Sequence, residues 1–205
     1  MNYITFANEL KNYPAFSLRD TEKLSGKVYY HRIAEWQKKG YIKRIANGIF
    51  IFAGEPLDEM HLYYLANRIY EPSYISLESA FAFYGFIPEA VYRITSVCSK
   101  KTSQFQQDNI VFTYRSINPR LNFGYTLIKW KNVVIKIAEP EKAVIDYFYL
   151  NTELNTPDQI EGMRFNTMAI KEQIDWQRIN KYLKIYDNKT LNKRVLLLKE
   201  QVNNA

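Results

Sequence analysis

The dipeptide Asn47-Gly48 is the feature that most narrows the folds open to this chain. It stands between two stretches rich in β-branched and aromatic residues, 41–46 and 49–52. Asn-Gly between such stretches is the strongest short-range signal for a two-residue β-hairpin, because both turn positions require a positive φ. The sequence therefore predicts a hairpin that ends near residue 52.

Three short helices are predicted ahead of this hairpin. Apolar residues at i, i+3, i+4 and i+7 indicate a first amphipathic helix: Tyr3, Phe6, Ala7 and Leu10. Ser17 and Asp20 have the spacing of a capping box, which predicts a second helix that ends near Leu24. A third helix is predicted from about Lys27 to Lys39, because Gly40 supplies the residue that commonly ends a helix.

Helix, helix, turn, helix and hairpin is the order of elements in a winged helix-turn-helix domain. We therefore predict such a DNA-binding domain for residues 1–53. The charge distribution favours it, since residues 1–52 carry nine Lys and Arg against four acids. Residues 53–150 carry ten of each, and residues 151–205 carry nine against seven. Cations gathered on a small module are typical of phosphate contact.

The third helix has two distinct faces at 100° per residue. Tyr29, Ile33 and Trp36 share one face, which we expect to pack on the first two helices. The opposite face is expected to read bases in the major groove and comprises Lys27, His31, Ala34 and Lys38, with Tyr30 on its flank. Phosphates or the minor groove are expected to be contacted by Arg32, Lys39, Lys43, Arg44 and Asn47 at the tip of the hairpin.

Two other interpretations of this module stay open. Helix faces exposed to solvent are usually charged, and many small winged domains serve only in contacts between proteins. Glu35 lies near the expected reading face, and its carboxylate disfavours contact with DNA. A protein-interaction adaptor is therefore the alternative to a DNA-binding protein.

Residues 54–205 are predicted to form an α+β domain with a small, mostly antiparallel sheet and C-terminal helices. Helices are indicated at 58–70, 77–84 and from Pro140 to about 150, and strands at 92–98, 109–116, 124–130 and 133–138. The segment 151–168 is predicted to be irregular. Two further helices are expected after Asp175 and from about Thr190.

Four segments of this second part occur in an order that resembles a known family. They are 74–89 (YISLESAFAFYGFIPE), 94–97 (ITSV) with 100–102 (KKT), 124–125 (GY) and 138–146 (AEPEKAVID). Together with the N-terminal winged helix, they resemble the AbiEi-type abortive-infection antitoxins of type IV toxin–antitoxin systems. The resemblance extends over essentially the whole chain.

The resemblance implies a bacterial phage-defence protein with two functions. The winged domain would bind inverted repeats in double-stranded DNA at its own promoter and repress the operon. The second domain would counter a nucleotidyltransferase-like toxin encoded next door. The family also includes plain transcriptional regulators without a toxin, so that function is a further alternative.

Nothing in the sequence indicates catalysis, and we predict a protein that is not an enzyme and needs no cofactor. Glu139, Glu141 and Asp146 are close in sequence, but on a helix Asp146 lies about 140° from Glu141, so the carboxylates diverge. Cys98 stands in a predicted strand and is expected to be buried. One cysteine and two histidines exclude the usual zinc schemes. No secretory or membrane-spanning pattern is visible, which predicts a cytoplasmic protein without membrane contact.

Overall fold

The computed structural model describes residues 2–25, 28–46, 48–88 and 93–204, and the side chains of all of these except Leu24 and Ser25. The predicted α+β class is confirmed. The chain forms two compact units, Met1–Glu71 with Ile128–Ile135, and Pro72–Leu127 with Lys136–Ala205. The first unit thus contains the N-terminal module and extends beyond residue 53.

The first unit begins with three short helices and a three-stranded sheet. In chain order these are α1 (Tyr3–Leu10), β1 (Phe16–Ser17), α2 (Leu18–Ser25), α3 (Tyr30–Lys38), β2 (Ile42–Ala46) and β3 (Ile49–Phe52). The strands are antiparallel in the order β1-β3-β2. Ala46 pairs with Ile49, which confirms the two-residue connection, and Gly48 has a φ of +74°. Asn47 and Lys27 lie outside the described residues.

The predicted capping box at the start of α2 is present. The Ser17 amide and hydroxyl donate to Asp20 Oδ2 at 2.8 and 2.7 Å, and the Asp20 amide donates to Ser17 Oγ at 3.2 Å. The same carboxylate oxygen accepts a hydrogen bond of 2.7 Å from Arg68 Nη2, on α4 (Glu59–Ile69). Asp20 therefore both caps α2 and joins it to α4.

An aromatic core orients α3 within the first unit. Ile33 and Trp36 are buried, and the Trp36 ring lies 4.6 Å from that of Phe6. Further buried members of this core are Leu10, Phe16, Val28, Ile42 and Phe50. The expectation that Tyr29 packs here was wrong, because α3 begins only at Tyr30 and the extended backbone before it buries Val28 instead. Tyr29 is 58% exposed.

His61 on α4 has a structural role in the same unit. Its Nε2 lies 2.7 Å from the Pro14 carbonyl oxygen, and its buried ring is 5.6 Å from that of Trp130. Trp130 belongs to the tip of the hairpin of β8 (Tyr125–Trp130) and β9 (Val133–Ala138), both predicted as strands, and the chain turns between them at Lys131 and Asn132. Residues 128–135 are the part of this hairpin that the first unit includes.

The second unit contains the rest of the larger sheet and most of the helices. Before the β8–β9 hairpin come β4 (Ser73–Ile75), α5 (Leu77–Phe83), β5 (Arg93–Cys98), β6 (Ser103–Gln107), β7 (Ile110–Ser116) and a 3-10 helix, Pro119–Leu121. After it come α6 (Pro140–Leu150), α7 (Pro157–Glu161), α8 (Thr167–Gln173), α9 (Trp176–Tyr186) and α10 (Lys189–Asn204).

The larger sheet is mixed, with the strand order β6-β7-β5-β4-β9-β8. The pairs β4–β5 and β6–β7 are antiparallel, whereas β5–β7 and β4–β9 are parallel. Strand β6 was not predicted, because its residues Ser-Gln-Phe-Gln-Gln carry little β-branched character. The segment 151–168 contains α7 and was wrongly predicted as irregular. Thr156 and Gln159 begin α7 with a capping box.

The start of α5 is capped from another element. Ser76 occupies the N-cap position but makes no cap hydrogen bond with its side chain. Thr95 on β5 replaces it, since its hydroxyl accepts from the Ser79 amide at 3.0 Å and donates to the Ser76 carbonyl at 2.8 Å. The Ser76 hydroxyl is thereby available for a different partner.

We expect Asp20→Ala to lower the free energy of unfolding by about 1–2 kcal/mol, because it removes the carboxylate of the capping box and the ion pair of that carboxylate with Arg68. Thermal unfolding of the full chain measures this as a lower midpoint. Glu22→Ala, at an exposed position of the same helix, is the matched control. Equal midpoints for the two variants would contradict a structural role for the Asp20–Arg68 contact.

Candidate nucleic-acid interface

The exposed face of α3 carries most of the residues predicted to read DNA. Tyr30 is 66% exposed, and His31, Ala34 and Lys38 are exposed as well. Tyr30, Ala34 and Lys38 follow one another at intervals of four residues, so they form one line along the helix. Burial of Ile33 and Trp36 on the opposite side keeps this line directed away from the core.

Two aromatic rings stack at the N-terminal end of this face. The Tyr29 and His31 ring centroids are 5.7 Å apart, and their planes differ by 19°. Tyr29, predicted to be buried, therefore lies at the surface beside the expected reading face. Among the described residues, the N-terminal end of this face is therefore formed by aromatic rings.

Glu35 forms ion pairs with two of the cations expected to contact phosphates. Its carboxylate accepts from Arg32 Nη1 at 3.0 Å and from Lys39 Nζ at 2.7 Å. The hydrogen bond from Lys39, followed by that from Arg32, lowers the pKa of Glu35, and Glu35 raises the pKa of Lys39. All three side chains reach the surface, and the triad lies on the flank between the exposed and buried faces.

The hairpin places its two cations on different faces. Lys43 is the partner of Ile51 and Arg44 the partner of Phe50, and adjacent residues of a strand point to opposite sides of a sheet. Both side chains are exposed, and Arg44 Nε donates to the Ala46 carbonyl at 3.3 Å. The two were predicted as one group of backbone contacts, but the strand separates them.

Eight of the ten predicted contact residues are described, and all eight are exposed: Tyr30, His31, Arg32, Ala34, Lys38, Lys39, Lys43 and Arg44. Lys27 and Asn47 are the two that lie outside the described residues. The arrangement provides a narrow aromatic and apolar line with one lysine at its end, flanked by an ion-paired triad. Such a surface can contact base edges and phosphates.

A buried ion pair in the second unit was missed by the sequence reasoning. Lys142 and Asp146, four residues apart on α6, form a salt bridge in which neither side chain is exposed. Lys142 Nζ also donates to the Tyr74 and Tyr186 hydroxyls at 2.8 and 2.7 Å. Those two hydroxyls, together with that of Ser76, donate to Asp146 at 2.8, 2.6 and 3.0 Å.

The polar groups of this buried cluster, which comprises Lys142, Asp146, Tyr74, Ser76 and Tyr186, form hydrogen bonds with one another. The three ammonium protons of Lys142 have three acceptors, and Asp146 accepts from four donors. Burial lowers the pKa of Lys142 against the attraction of Asp146, and raises the pKa of Tyr74 well above its usual value. The i, i+4 spacing of Lys142 and Asp146 in a helix that is mostly apolar after its first turn was the signal available in the sequence.

Three of the segments that support the family resemblance meet at this cluster. Tyr74 and Ser76 come from the first segment, and Lys142 and Asp146 from the last. Gly124, at φ +70°, allows the close approach, because a Cβ there would lie 3.2 Å from both Lys142 Cγ and Tyr182 Cε2. The segments therefore share a packing role.

The two acids at the start of α6 share one cation, since Arg178 Nη1 lies 3.7 Å from Glu139 Oε2 and 3.5 Å from Glu141 Oε2. Glu141 accepts from the Asp175 amide at 2.8 Å and from Arg178 Nη1 at 3.5 Å. Glu139, at the N-cap of α6, accepts from the Tyr182 hydroxyl at 2.5 Å. Neither contacts Asp146 through a hydrogen bond, which agrees with the predicted divergence from Asp146, whereas the two glutamates converge on Arg178. Cys98 is buried as predicted, and burial raises the pKa of its thiol.

An open groove of about 600 Å³ runs between α9 and α10. Its apolar lining comes from Trp176, Ile179, Leu183, Val195 and Leu196, of which Leu196 is 53% exposed. Lys184 and Lys199 line it as well. The two helices and their connection, 176–204, carry seven Lys and Arg against two acids, so the groove has a basic surround.

Two absences hold for the part of the chain that the structure describes. No three His, Cys, Asp or Glu side chains are grouped in a way that could hold a metal ion. No helix among those residues combines the length and apolar character needed to cross a membrane.

Comparison with known proteins finds one with a similar fold but does not place the chain in a family. The structure is similar to the crystal structure of the Rv2827c protein from Mycobacterium tuberculosis, with a TM-score of 0.56 and 14% sequence identity. The match covers 95% of this chain and 76% of that one. No family model matches the sequence, and no curated protein matches it. At this identity the likeness concerns the fold alone.

We expect Lys142→Met to lower the free energy of unfolding by about 3–5 kcal/mol, because it leaves the Asp146 carboxylate buried without its counter-charge. The double variant Lys142→Met/Asp146→Leu should recover part of that loss, since neither charge then remains buried. Chemical denaturation of the full chain measures both changes. Lys171→Met, at an exposed lysine of the same unit, is the control, and an equal effect there would contradict the assigned role.

Proposed function

We propose that the protein is a DNA-binding transcriptional repressor and that its first unit is a winged helix-turn-helix domain. The single observation that carries the proposal is the exposed line Tyr30, Ala34 and Lys38, on a helix anchored by Ile33 and Trp36. A recognition helix needs such a face, with small or polar side chains outward and a rigid support behind. Elements in the order α1-β1-α2-α3-β2-β3, with an antiparallel hairpin after the third helix, support the same domain type.

The hairpin would act as the wing in this proposal. Lys43 and Arg44 are exposed on opposite faces of β2, so one of them can approach the phosphates of the bound duplex. Arg32 and Lys39 would add phosphate contacts after exchanging Glu35 for a phosphate oxygen. That exchange is feasible because all three side chains are at the surface.

The antitoxin half of the proposal rests on the resemblance to the AbiEi type. The chain would repress its own operon from inverted repeats, and would counter a nucleotidyltransferase-like toxin encoded beside it. The groove between α9 and α10, apolar in its lining and surrounded by basic residues, is a surface on which a protein partner could dock. It also favours the second candidate function, a winged-helix adaptor that binds proteins and not DNA.

Binding to the DNA upstream of its own gene tests the repressor function. We expect the full chain to bind that duplex on the order of 10³-fold more tightly than a scrambled one. Lys43→Ala should weaken binding to both duplexes and reduce the salt slope by about one. Lys38→Ala should weaken the free energy of binding to the specific duplex by about 1–3 kcal/mol. Lys11→Ala, at an exposed lysine after α1, should change neither.

Absence of DNA binding at moderate salt would refute the repressor and leave the adaptor. A stable complex with a second protein, lost in Leu196→Glu and kept in Lys38→Ala, would then support that alternative. The antitoxin function predicts that co-expression of the chain relieves growth arrest caused by a neighbouring nucleotidyltransferase-like gene. A plain regulator would bind its operator and give no such relief.

A further inference from the structure

The exposed line on α3, Tyr30, Ala34 and Lys38, would present mainly apolar groups to base edges. From the N-terminal end it presents the ring of Tyr30 and the methyl group of Ala34, and the Lys38 ammonium follows in the last turn. His31 flanks this line and has its ring stacked against Tyr29. Two of the three side chains in the line are thus mainly apolar, and the cation comes last.

The arginine and amide side chains of α3, which commonly read guanine and adenine, are turned away from this line, and Lys38 in the last turn is its one possible guanine contact. Arginine or lysine commonly contacts guanine, and asparagine or glutamine contacts adenine. Arg32, the one arginine of α3, lies about 200° around the helix from Tyr30 and is paired with Glu35. Gln37 is the one amide side chain of α3, and it is half-buried in the last turn.

We infer that α3 selects its operator through thymine C5-methyl groups, which Tyr30 and Ala34 contact in the major groove. The inference rests on the proposed function and names the kind of site that it reads, a duplex with thymines at the positions that face these two residues. Thymine is the one base that presents a methyl group in the major groove, and apolar side chains are its usual partners. Tyr30, at 66% exposure, has apolar surface that such a contact would remove from water.

The experiment compares the duplex upstream of the gene with the same duplex in which deoxyuridine replaces every thymine. Deoxyuridine keeps the base pair and its hydrogen-bonding groups and lacks only the methyl group. We expect the affinity of the full chain to fall about fourfold for each contacted methyl, the value of burying one such carbon. Tyr30→Ala should bind the two duplexes with a much smaller difference.

Ile4→Ala is the matched control for the loss of an exposed apolar side chain. Ile4 is 70% exposed and belongs to α1 rather than to the α3 line, so this variant should keep the full preference for thymine. A general effect of the methyl groups on the stiffness of the duplex would persist in Tyr30→Ala. That persistence would overturn the inference.

The outcomes separate this inference from the proposed function. Specific binding that is equal for the thymine and deoxyuridine duplexes overturns the inference and leaves the repressor intact. Specific binding that is lost when 7-deazaguanine replaces guanine, but not with deoxyuridine, shows guanine reading and also overturns it. Failure to bind either duplex above a scrambled one refutes the proposed function, and the inference with it.

Discussion

The buried pair of Lys142 and Asp146 is the interaction on which the second unit depends. Removing both charges from water is costly, and the structure offsets that cost by surrounding them with hydroxyl groups from β4, the residue after it and α9. These hydroxyl groups come from different elements, whereas Lys142 and Asp146 both lie on α6. Their hydrogen bonds to the pair therefore fix the sheet, α6 and α9 relative to one another. An apolar core would not demand that one arrangement as strictly.

The first unit depends on a different kind of contact, the packing of aromatic rings. Trp36 and Ile33 are buried against α1 and the strands, and this burial determines which side of α3 remains at the surface. Asp20 adds a polar contact by capping α2 and bonding Arg68. The candidate DNA-binding face is therefore a consequence of core packing, and its chemistry is that of the residues that the core leaves outside.

Local signals in the sequence were sufficient for most of the elements. The turn at Asn47-Gly48, the capping box at Ser17 and the helix from Pro140 to Leu150 each depend on residues a few positions apart, and all were predicted. Errors arose where a distant residue decided the outcome. At α5 the cap comes from Thr95 on the distant strand β5, and Ser76 at the N-cap position bonds Asp146 instead. Strand β6 forms because β7 pairs with it, not because of its own composition.

For the candidate site, the sequence by itself determined the helical periodicity, and hence that Ile33 and Trp36 oppose Ala34 and Lys38. It also determined that the first 52 residues are basic. Only the tertiary structure decided that Tyr29 is at the surface, that Glu35 engages both Arg32 and Lys39, and that Lys142 is buried. The physical reason is the distance along the chain over which each effect acts. Periodicity and capping act within one turn of helix, whereas burial and ion pairing depend on which side chains the completed core brings together.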